Sequence, residues 1–105
     1  MKKLLVSAIV AALTLLAIGV ARADSNDDDF VQAINHVGVG GAPADLITNA
    51  RAVCSALDSG NPPDAARDAL VSQLGVRADR AVRFVAISVT HYCPKYANLR
   101  FATGS

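Results

Sequence analysis

Two cysteines, Cys54 and Cys93, stand in a chain whose N-terminus carries the marks of export, and that combination constrains the fold more than any other feature. Met1-Lys2-Lys3 is followed by an apolar run from Leu4 to Val20, then by Ala21-Arg22-Ala23 and an acidic stretch. Basic, apolar, small-x-small and polar segments in that order make a secretory signal peptide over residues 1–23. The Ala-x-Ala site and the lack of a basic stop-transfer flank favour cleavage after Ala23 over a membrane anchor. Exported thiols meet an oxidising compartment and pair, and two cysteines have a single pairing. The expected Cys54–Cys93 bond closes a loop of about 40 residues, worth about 4 kcal/mol in the chain-entropy model. Typical domains are stable by only about 5–15 kcal/mol, so the bond carries a large share.

Cleavage leaves 82 of the 105 residues, one domain at most. A chain that short buries a modest fraction of its surface and commonly needs a covalent staple. Removing Lys2, Lys3 and Arg22 leaves seven basic side chains against nine aspartates, a net charge of about −2. Such a balance provides no electrostatic footprint for nucleic acid.

Apolar periodicity predicts four helices. The segment 24–29 is acidic and expected to be disordered at its start, with its aspartates capping the helix that follows. The first helix covers roughly Asp28 to Val37, with Phe30, Ala33, Ile34 and Val37 on one face, and ends at Gly38-Val39-Gly40-Gly41. His36 falls off its apolar stripe. The second runs from about Ala44 to Leu57 and gathers Leu46, Ile47, Ala50, Val53, Cys54 and Leu57 on one arc. Cys54 therefore points at the core. Gly60 and Pro62-Pro63 stop it. A weaker third helix, about Asp64 to Leu74, ends at Gly75.

The fourth helix starts near Ala78 and is halted at Cys93 by Pro94. Ala81, Val82, Val85, Ala86, Val89, Tyr92 and Cys93 form its main face, while Phe84 and Ile87 lie on another, flanked by Arg80 and His91. A helix apolar on two sides is either central in its bundle, the arrangement favoured in so small a protein, or exposes a patch, for which Arg80, Phe84, Ile87 and His91 are the candidate partner surface. The expected organisation is thus a leader at 1–23, an acidic segment at 24–29, a helical domain at 30–94 and a tail at 95–105. The fold class is all-α, a small bundle of about four short helices with one disulfide.

Chemistry-bearing residues are few. His36 and His91 are the only histidines, and no Gly-x-Ser-x-Gly elbow accompanies them. No aspartate pair sits in an apolar setting that would separate two pKa values, and the aspartate run lacks the alternating ligands of a calcium loop. Neither catalytic residues nor metal ligands are assigned, and no cofactor is expected. His91, Tyr92 and Tyr96 cluster at the end of the fourth helix, and such side chains can ligate haem iron, so they form a candidate haem set. Arg77, Arg80 and Arg83 recur every third residue, as on a solvated helix face.

Phe30, Gly38, Val53-Cys54, Gly60 and Tyr92-Cys93-Pro94, in this order, resemble a family of small secreted mycobacterial two-cysteine proteins catalogued as a domain of unknown function (DUF732). The resemblance covers roughly Phe30 to Pro94. It implies an all-α domain with one disulfide, exported by an actinobacterium, and it implies no activity. The combined expectation is a secreted, non-catalytic domain, extracellular or at the cell envelope. It would bind a protein or envelope partner and would have no membrane span after cleavage. An extracellular haem or small-ligand carrier is the alternative.

Overall fold

A computed structural model describes residues 25–102. The expected leader at 1–23 and the chain end at Gly104-Ser105 lie outside the described residues. Four α-helices and a short 3-10 turn make up the described chain, with no strand among those residues. Helix α1 includes residues 25–36, α2 is Pro43–Asp58, α3 is Pro63–Leu74 and α4 is Ala78–Tyr92; the 3-10 turn is Pro94–Tyr96. Expected and observed ends of α2, α3 and α4 agree to within a residue or so.

Each end has a local cause. At the end of α1, Gly38 takes φ +88°. Its N–H donates to Asn35 O, and that of Val39 donates to Ile34 O at 3.2 Å. This is a Schellman closure, which uses two otherwise orphaned carbonyls and tucks Val39 against the helix. Val39 is accordingly buried. A side chain at Gly38 would be strained by that φ, and its Cβ would lie 3.2 Å from the Arg80 guanidinium carbon. Gly60 closes α2 in the same manner, with Asn61 N–H donating to Ala56 O. Pro43 and Pro63 each open a helix at a position whose missing N–H costs nothing.

Helix α4 is the centre of the bundle, packing along both α2 and α3. Phe30 of α1 meets Phe84 of α4 edge to face, ring centroids 5.7 Å apart. Phe30, Ile34, Leu46, Ala50, Ala81 and Phe84 are all completely buried. Two expectations about α4 are corrected here. Its buried arc is Ala81, Phe84, Val85, Ser88 and Val89. That arc is turned by about 60° from the expected face, at 100° per residue. Phe84 is core, not partner surface, because Phe30 occupies the space beside it. Val82 is half-buried and Ala86 exposed. The rotation brings Ser88 into the core at no polar cost, since its hydroxyl donates to Phe84 O at 2.7 Å.

The segment expected to be disordered at 24–29 is helical from residue 25 onward. Its order comes from the far end of the chain. Asn26 Nδ2 donates to His91 O at 3.2 Å, and Tyr92 donates its hydroxyl to the Asp27 carboxylate.

Cys54 and Cys93 are bonded, with Cα atoms 5.9 Å apart, inside the normal range for a bridge. Both are buried, so the covalent tie lies within the apolar core and joins the inner face of α2 to the end of α4. Alkylation of the folded or denatured protein should add no mass until a reductant is supplied, and two groups thereafter. Breaking the bond should lower the unfolding free energy in urea by about 4 kcal/mol. Phe84→Ala should cost about 3–5 kcal/mol in the same measurement, as expected for a core ring and not for an exposed one.

Candidate functional site

Three features of the surface combine polar chemistry or concavity with defined geometry. The first lies where α1 crosses the end of α4. Tyr92 donates to Asp27, whose carboxylate also sits 3.9 Å from the Arg51 guanidinium of α2. Arg51 covers the Tyr92 ring at 5.2 Å, and Phe30 packs edge-on against both Tyr92 and His91. His91 Nδ1 lies 3.3 Å from Asn26 Oδ1. Burial first, and then the hydrogen bond to Asp27 and its negative charge, push the Tyr92 phenol well above its ordinary pKa; Arg51 acts in the opposite sense.

A second cluster sits at the C-terminal end of α2. Asp58 accepts from the Tyr96 hydroxyl and pairs with Lys95 at 3.3 Å, while the Lys95 ammonium lies 5.1 Å from the Tyr96 ring centre. The bond from Tyr96, and then that from Lys95, hold the Asp58 carboxyl below its usual value. The same bond to Asp58 raises Tyr96. This cluster fastens the 3-10 turn to α2.

The third feature is a groove of about 520 Å³ between α4 and the C-terminal tail. Leu57, Val85 and Val89, all buried, form its floor. Val82 and Ala86 line it on the α4 side, and Tyr96, Leu99, Arg100 and Phe101 line the tail side. Beyond the groove the tail is secured where Ala102 N–H donates to Asp64 at 2.8 Å and the Arg67 guanidinium covers the Phe101 ring at 5.8 Å.

The residues singled out in the sequence do not converge. Arg80 donates through Nη1 to Gly38 O at 2.9 Å, joining the start of α4 to the end of α1. Phe84 is in the core. Ile87 is half-buried beside a shallow hollow shared with Asp29, Gln32 and His36. His91 belongs to the α1 contact. Of the candidate haem set, His91 faces Asn26, Tyr92 is committed to Asp27 and Tyr96 to Asp58. Of the three only Tyr96 lines the groove, so the groove does not bring the set together. No group of three or more His, Cys, Asp or Glu side chains is placed to hold a metal ion among the described residues.

Sequence reasoning missed Asp27, Arg51 and Asp58 as partners of the tyrosines. It also missed the groove that Tyr96, Leu99 and Phe101 of the tail wall on one side. Arg100 at the groove carried no pattern signal.

Fold and site together define a small, disulfide-tied helical bundle whose two tyrosines are hydrogen-bonded to aspartates of other elements. The chain belongs to the family described as protein of unknown function (DUF732), whose sequence model matches residues 26–95. An uncharacterized protein of Mycobacterium bovis is 34% identical over 90 residues, covering 82% of this chain and 81% of the relative. An uncharacterized protein of Mycobacterium tuberculosis is 29% identical over 94 residues, covering 89% of this chain and 83% of the relative. No solved structure matches at a significant level.

The Tyr92 contact gives a pH signature. Its folded pKa is raised, so its contribution to stability is whole below the unfolded value of about 10 and is lost as pH rises through the folded value. In an alkaline titration followed by phenolate absorbance, Tyr92 should ionise only well above pH 10, together with loss of near-UV ellipticity. Asp27→Asn should bring that ionisation to lower pH, because the carboxylate charge that opposes the phenolate is gone.

Proposed function

We propose that the protein is an exported, non-catalytic binding domain that engages a component of the cell envelope through the groove between α4 and the tail. The observation that carries this reading is the contrast between the polar clusters and the groove. His91, Tyr92, Tyr96, Asp27 and Asp58 are each held by partners within the chain. The groove instead presents Ala86 and Leu99 to solvent above a buried apolar floor. Binding by apolar contact needs such a surface and needs no reactive side chain. The leader pattern at 1–23 supports export, and no described helix is long and apolar enough to cross a membrane.

Purified protein mixed with sedimented cell-envelope fragments should co-sediment with them in a saturable way. Ala86→Trp, which places a large ring in the groove from an exposed position, should return the protein to the supernatant while its melting temperature stays near that of the parent. Protein that remains in the supernatant at every envelope concentration would overturn the reading.

A further inference from the structure

We infer that the groove between α4 and the tail binds a single-chain fatty acid, its alkyl chain on the apolar floor and its carboxylate at Arg100. The inference rests on the reading of this groove as the binding surface and names the ligand chemistry for it.

Charge is the first argument. Among the described residues, Arg100 is the one charged side chain lining the groove, and no carboxylate side chain lines it. Among the described residues Arg100 has no ion-pair partner. The other polar groups at the groove are already engaged. Thr90 Oγ1 donates to Ala86 O at 3.0 Å, and the Tyr96 hydroxyl donates to Asp58. Among the described residues a ligand in the groove thus meets one cation without an ion-pair partner, which suits a single anionic head group.

Apolar surface is the second. Leu99, at 46% exposure, is the one large hydrophobic side chain left exposed among the described residues, and it faces the groove together with exposed Ala86. An alkyl chain laid between them would remove both from water.

Shape is the third. The tail that forms the outer wall is tied at both ends, by Tyr96 to Asp58 and by Ala102 N–H to Asp64. A broad macromolecular surface cannot reach the floor without breaking those ties, whereas a slender chain can lie along it. The volume of about 520 Å³ falls within the size range of small-molecule sites, about 300–1,000 Å³.

The test is calorimetric titration of the purified protein with octanoate, decanoate and laurate, each below its aggregation concentration, beside dodecyltrimethylammonium as a cation of equal chain length. Laurate should saturate at one molecule per protein. Affinity should rise by about fourfold for each added methylene that finds room on the floor. The ammonium compound should bind more weakly than laurate. Arg100→Gln should weaken laurate by about tenfold, with Arg100→Lys recovering part of the loss. Ala86→Trp and Leu99→Glu, both at exposed positions, should each abolish binding with the circular dichroism unchanged. Absence of a laurate isotherm, an affinity blind to head-group charge, or binding that survives both groove variants would overturn the inference. Should laurate fail while envelope co-sedimentation persists and is lost in Ala86→Trp, the fatty-acid assignment falls and the binding role stands. Should co-sedimentation fail as well, both fall.

Discussion

The Cys54–Cys93 bond is the constraint on which the rest of the bundle depends. Both sulfurs lie on buried faces, so closing the bond draws α2 against the end of α4 at the same place where their apolar side chains meet. Covalent and hydrophobic terms therefore favour one arrangement, which is the consistency a small domain needs. The closed loop contains all of α3, the helix with the weakest amphipathic pattern of the three whose bounds are defined. Constraining the unfolded loop lowers the entropy that α3 must give up on docking, and so lets a helix with few buried residues pack on α4.

Helix α1 lies outside that loop and is held by other means. Phe30 inserts against Phe84, Tyr92 and His91, while Asn26 and Asp27 reach the last turn of α4. At its other end, Gly38 shapes a closure that Arg80 grips through the glycine carbonyl. Aromatic packing in the middle is thus flanked by polar ties at both ends. The polar ties set the position of the helix more than its energy, since exposed hydrogen bonds and ion pairs contribute little net stability.

This economy of polar groups bears on function. In a chain with two histidines and two tyrosines, both tyrosines and one histidine are used to fasten elements together. One of the hollows the bundle leaves toward solvent is a trough with an apolar floor beside α4, walled by a tail tied down at Asp58 and Asp64; among the described residues it bears one arginine without an ion-pair partner. In the proposed binding role, surface shape and apolar contact, with the charge of Arg100, would be the means of recognition there.

Much of this was legible in the residues. Gly38, Gly60, Gly75 and the prolines punctuate the chain, and these signals are local, so the helix ends of α2, α3 and α4 follow from sequence. The pairing of two cysteines has one solution and needed no geometry. Which side of α4 faces inward was not legible, because apolar residues cover two of its sides and periodicity alone cannot rank them. Phe84 took the inner position only because Phe30 arrived beside it, and Ser88 could follow because its hydroxyl bonds to its own helix. Asp27 with Tyr92, Asp58 with Tyr96, and the groove walled by Leu99 and Arg100 join residues 38 or more positions apart in the first two cases, or the tail and a helix face in the third. By itself the sequence determined four helices, their stops and the bond between two of them, since those depend on neighbours or on elimination. Only the tertiary structure decided which faces meet and where a surface remains open, because those depend on which distant side chains fill the same space.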